Sequence, residues 1–234
     1  MQLLKKKMLC IPGLGGHRSV FAEYVSLLPG YEMEFVELVD RRRTLAEARA
    51  ALSAASGPVI LFCHCYSAQM GIQLAAEMPE KISQLIFLEP FFVELQLWMK
   101  LLLPVGWTLL RFSQLFDALG LRRRRFTYQP DYVALAKYPI YFQPFFDMRW
   151  QNLTDYFDKC YDILTYKLPQ SVKTPTLMIF SSNGYTRDPA AREHLRIIFS
   201  DLRVVETPAV SHNVISMSPA TVAGAIQRSL TSAA

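Results

Sequence analysis

Short apolar runs alternate with helix-like stretches along most of this chain, and that alternation leaves few folds other than a parallel sheet wrapped by helices. The strand-like runs are Met8–Ile11, Met33–Leu38, Pro58–Phe62, Gln84–Leu88, Pro175–Phe180 and Arg203–Glu206. Pro58–Phe62 has no polar interruption, as expected of a central strand buried on both faces. Helices are predicted from about Ser19 to Leu28, from Leu45 to about Ser56 with Thr44 as cap, up to about Met78, and near Ala220–Leu230. With 51% apolar residues in 234, one α/β domain with a mostly parallel central sheet can bury its core under helices on both faces. Residues 91–168 break the alternation with aromatics and prolines, between two core strands, and are predicted to be an inserted helical lid.

Several function classes drop out early. Only about four apolar residues follow the lysines at 5–7 before Pro12, against the roughly 7–15 that a secretory signal needs. Glu94, Lys100 and Arg111 interrupt the greasiest stretch, so it falls short of the ~20 residues of a transmembrane helix. The four cysteines, at 10, 63, 65 and 160, are too scattered for a disulfide scaffold and fit a reduced, cytoplasmic compartment. Cys63, His64 and Cys65 stand consecutively on a turn and point different ways, with no second cluster to complete a metal site. No metal and no cofactor is expected. The net charge of +5 is concentrated in Arg41–Arg43 and Arg122–Arg125, but no nucleic-acid module accompanies either run. Such runs are solvated faces or landing sites for an anion: an acidic carrier protein, a phosphate or a peripheral membrane contact.

The chemistry concentrates after Phe62, in Cys63-His64-Cys65-Tyr66-Ser67. A nucleophile on a sharp strand-to-helix turn needs small residues two positions to either side, commonly as G-x-S-x-G. Here Cys63 and Ser67 are the small flanks and Cys65 replaces the serine. The frame follows a strand, precedes a helix, and lies about fifty residues after the glycine-rich turn Pro12-Gly13-Leu14-Gly15-Gly16. Together with the helix–strand stretch from Met70 to Pro90, these features resemble the α/β-hydrolase superfamily over the whole chain except the lid.

That resemblance implies an α/β-hydrolase fold and assigns roles. Cys65 is the nucleophile, and His212, in Val210-Ser211-His212-Asn213, matches the histidine that acts as its base. Asp188, followed by Pro189, fits the acid, although it arrives about four residues late; Glu89, directly after the Gln84–Leu88 strand, is the alternative. A dyad without an acid is also tolerable, because a thiolate–imidazolium pair depends less on an orienting carboxylate. The backbone N–H groups of Leu14 and Tyr66 match the oxyanion hole. His64 falls where many relatives carry a histidine packed behind the elbow.

A cysteine nucleophile forms a thioester intermediate, so a thioester donor makes the first step nearly isoenergetic. Amines and thiols then attack that intermediate more readily than water does. The expected activity is therefore acyl transfer from a carrier- or CoA-linked thioester in secondary metabolism, with Arg122–Arg125 receiving the carrier. Lid aromatics such as Trp98, Trp107, Phe112, Tyr141 and Phe145 either wall an acyl pocket or pack on one another. The alternatives are a hydrolase of esters, lactones or thioesters with the same triad, a non-covalent lyase or cyclase, and an inactive binding protein.

Overall fold

A computed structural model describes residues 5–13, 18–38, 40–92, 105, 108, 112, 162, 165–181, 189–208, 215 and 218–231. Six parallel strands form one sheet: β1 (Lys6–Ile11), β2 (Tyr31–Phe35), β3 (Val59–His64), β4 (Ile82–Leu88), β5 (Thr176–Ser181) and β6 (Leu202–Thr207). Their spatial order is β2-β1-β3-β4-β5-β6. Every residue of β3 and of β5 is buried, which is why these strands read as unbroken apolar runs. Among the described residues the α-helices include α1 (Ala22–Leu27), α2 (Arg41–Ala54), α3 (Ser67–Glu77), α4 (Pro189–Ile198) and α5 (Pro219–Thr231), with a 3-10 turn Arg18–Phe21 before α1.

Two local expectations need correction. α2 begins at Arg41, and its cap is Asp40, whose carboxylate accepts the Arg43 N–H at 2.8 Å. Thr44 lies inside the helix, and its hydroxyl donates back to the Glu37 carbonyl at 3.1 Å. The run Arg41–Arg43 is thus the first turn of α2, with Arg41 donating to Gln73 of α3 at 2.9 Å. A further helix, α4, is not among those expected; Leu195 and Ile198, three residues apart, lie on its buried side, with buried Phe199 just past its end.

An aromatic cluster joins α1 to the central strand. Phe21 and Tyr24 meet Phe62 of β3 edge-on, with ring centroids 5.2 and 5.5 Å away, and all three are fully buried. Such pairs contribute about 0.5–1.5 kcal/mol beyond their burial.

Contacts divide the chain into two compact units. The first is Met1–Phe91 with Leu168–Ala234, which contains the sheet; the second is Phe92–Lys167. Among the described residues no helix is long and apolar enough to cross a membrane.

Candidate active site

The strand order fixes where a site can form. β2 and β3 flank β1 on opposite sides, so the chain leaves β1 in one direction and returns on the other. Open parallel sheets bind ligands in the crevice outside the carboxyl ends of such strands. Gly13 follows β1 and Cys65 follows β3, at that crevice.

Cys65 has φ 55°, in the left-handed region that side chains with a Cβ avoid at a cost of roughly 1–2 kcal/mol. The surrounding bonds enforce it. Its N–H continues the β3–β4 ladder to the Leu88 carbonyl at 2.9 Å, while its own carbonyl accepts the Ala68 N–H of α3 at 3.2 Å. Strand and helix pairing thus meet within one residue and push the side chain out of both. Cys65 is partly exposed, whereas Cys10 and Cys63 are fully buried. Burial pushes the Cys63 thiol up to about 12, a hydrogen bond from Ser67 only partly opposing it, and burial raises Cys10 as well, with Cys63 adding to it. Neither buried thiol ionises near neutral pH.

The flanks of the elbow carry more than small size. Ser67, fully buried, accepts the His64 N–H at 2.9 Å. Its hydroxyl lies 2.8 Å from the Ile11 carbonyl and 2.9 Å from that of His64, so one proton serves the ends of β1 and β3. A glycine could not make this link, and the sequence marks Ser67 only by its small size. Two glycines are compelled by proximity. A Cβ on Gly13 would lie 2.6 Å from His64 Nδ1 and 2.9 Å from Cys65 Cβ, so the turn after β1 rests directly on the elbow. A Cβ on Gly71 would lie 2.9 Å from Cys63 Sγ and from the Phe87 ring, so the glycine brings α3 close to β3 and β4. His64 itself is buried, as expected of a residue behind the elbow.

Glu89 shares the nucleophile's peculiarity. His64 pairs with Leu88, so Glu89 directly follows the end of β4 as Cys65 follows that of β3, and it too is left-handed, with φ 47°. Its N–H donates to Ile179 at 2.8 Å, and its carboxylate accepts the backbone N–H of Ser181 at the end of β5. The residue is 2% exposed. Tyr66, also buried, leads from the elbow into the N-terminus of α3. Leu14, Asp188, His212 and Arg122–Arg125 lie outside the described residues. Among the described residues no group of three His, Cys, Asp or Glu could hold a metal ion.

Solved structures with this architecture span several chemistries. The thioesterase domain from the curacin biosynthetic pathway is 15% identical with a TM-score of 0.67, over 96% of this chain and 92% of its own. The enol-lactonase from Burkholderia xenovorans LB400 is 17% identical with a TM-score of 0.67, over 97% and 92%. ClbQ from the colibactin NRPS/PKS pathway is 11% identical with a TM-score of 0.63, over 97% and 98%. At such identities the likeness establishes the fold alone. A comparison with curated proteins finds no match. The sequence pattern of the alpha/beta hydrolase family, however, spans residues 8–225, and the chain belongs to that family.

Proposed function

We propose that this protein is a cysteine-dependent acyltransferase that takes its acyl group from a thioester. The observation that carries the proposal is the elbow: a partly exposed thiol, held at φ 55° at the sheet's switch point, with Gly13 against it. Left-handed backbone at a residue with a Cβ is retained where surrounding structure enforces it, and such residues cluster at functional sites.

In the proposed reaction His212 takes the Cys65 proton, and the thiolate attacks the thioester carbonyl. The backbone N–H groups of Leu14 and Tyr66 receive the developing oxyanion, with Tyr66 at the positive end of the α3 dipole. Collapse breaks the donor C–S bond, His212 returns its proton to the leaving thiolate, and acyl-Cys65 remains. An amine or thiol acceptor then loses its proton to His212 and attacks acyl-Cys65. Collapse of that second adduct releases the product and re-forms the Cys65 thiol.

Of the two candidate acids, Glu89 has the support of its environment. It is buried directly after the strand that pairs with β3, in a left-handed conformation, and oriented by the Ser181 N–H. We therefore place it as the orienting carboxylate, with Asp188 as the competing assignment. The names of two fold relatives, a thioesterase domain and ClbQ, come from biosynthetic pathways and favour a thioester donor in secondary metabolism. The enol-lactonase likeness favours a second reading, hydrolysis through the same acyl-Cys65.

Turnover of acyl-N-acetylcysteamine thioesters, with and without an amine or thiol acceptor, tests the proposal. Acceptor-dependent acyl product, lost in Cys65→Ala, is expected. Free acid formed at the same rate whatever the acceptor would replace transfer by hydrolysis. Activity retained in Cys65→Ala would end both readings.

A further inference from the structure

Tyr24 of α1 touches both the strand that presents Cys65 and the segment that follows His212. Its ring packs edge-on against Phe62, three residues before Cys65. Its hydroxyl donates to the carbonyl of Ile215, three residues after His212, at 3.0 Å across 191 residues of sequence. Ile215 is itself buried. Phe21 and Phe62 hold the tyrosine ring on one side, and Gln227 of α5 donates to the Leu27 carbonyl at 2.9 Å, clamping α1 to the helix that follows the histidine loop.

A tyrosine used only for packing has no need of its hydroxyl. Here the hydroxyl makes a long-range bond from a fully buried position, to the backbone of Ile215, which is buried as well. Burial, with smaller contributions from Glu23 and Cys10, pushes its ionisation well above the ordinary tyrosine range, so it stays a donor at any working pH.

We propose that Tyr24 is a positioning residue of the site: it bridges the nucleophile strand at Phe62 and the histidine segment at Ile215, and so sets the separation of Cys65 and His212. This rests on His212 being the partner of Cys65. A displacement of about 1 Å between reacting groups can cost about 10²-fold in rate, so a bond that ties the backbone at Ile215 to the ring packed on Phe62 is of consequence.

The test needs no substrate. Iodoacetamide labelling of Cys65 is followed by mass spectrometry across pH in wild type, His212→Ala, Tyr24→Phe and Phe21→Leu. Tyr24→Phe keeps the ring on Phe62 and removes only the hydroxyl, and thermal unfolding of each variant sets a temperature at which all are folded. Phe21→Leu is the packing control, because it loosens the same cluster and leaves the hydroxyl in place. Tyr24→Phe should move the labelling profile upward in pH in the direction of His212→Ala, with labelling near neutral pH at least about tenfold slower, while Phe21→Leu keeps the wild-type profile. If His212→Ala moves the profile and Tyr24→Phe does not, the positioning role is wrong. It is equally wrong if Phe21→Leu moves the profile as far as Tyr24→Phe does. If His212→Ala leaves it unmoved, the thiol–imidazole pair itself is wrong, and Tyr24 has nothing to position.

Discussion

Replacing Ser67 by alanine removes one oxygen and should be felt well beyond its size. The hydroxyl accepts the His64 N–H at 2.9 Å and faces the Ile11 and His64 carbonyls at 2.8 and 2.9 Å, with no exposed surface through which water could take its place. Alanine therefore strands a buried N–H, costing about 1–3 kcal/mol, and loses a donor bond of about 1 kcal/mol. The expected destabilisation is about 2–4 kcal/mol, a large share of the 5–15 kcal/mol of a typical domain. For a chain of this size that is a fall in melting temperature of about 4–16 °C. Urea unfolding should show a lower midpoint at unchanged slope. Cys65 labelling should slow as well, because the same bonds hold the end of β3 in place. A change below about 0.5 kcal/mol, the scale of an ordinary surface substitution, would refute the claim that this serine staples the elbow to β1.

Gly13→Ala should lower kcat at least about 10²-fold with a small change in KM, since its Cβ would collide with His64 and Cys65; wild-type kcat would mean that the turn moves freely. Glu89→Gln should cost more activity than Asp188→Asn, by about 10-fold or more, with Glu89→Gln still accepting the Ser181 N–H through its amide oxygen; the reverse order reassigns the acid. Cys63, at about 12 when folded against 9.0 when free, retains its proton in the fold while the unfolded chain loses it. Its contribution is intact below pH 9.0 and is lost as pH rises toward 12, at about 1.4 kcal/mol per pH unit. Unfolding free energies across that window should therefore fall more shallowly in Cys63→Ala than in wild type, by about one proton's slope.

What the sequence made legible follows the physics of each element. The central strands were readable because a parallel sheet buried on both faces needs unbroken apolar runs, and β3, β4 and β5 each lie within two residues of their expected bounds. The elbow was readable from a strand, two small flanks and a helix in succession, and its left-handed Cys65 is the geometry that spacing demands. Local hydrogen bonding was harder. Thr44 and Asp40 are both able to cap α2, and only tertiary contacts, such as Arg41 with Gln73, settle where the helix begins. Ser67 looked like any small residue, because its bond to Ile11 spans 56 positions. Nothing local marks Tyr24 either, since its partner is 191 residues away. Glu89 could be named as a candidate from its place after a strand, but its burial and its bond to Ser181 needed the folded sheet.

The central claim is a covalent acyl intermediate on Cys65. Intact-mass spectrometry of the protein, quenched in acid after brief exposure to an acyl-N-acetylcysteamine thioester, measures it directly. A mass increase equal to one acyl group less one hydrogen, mapped to Cys65 by digestion, removed by an amine or thiol acceptor and absent from Cys65→Ala, is the predicted result. Steady turnover with no adduct at any quench time, and undiminished in Cys65→Ala, would contradict it.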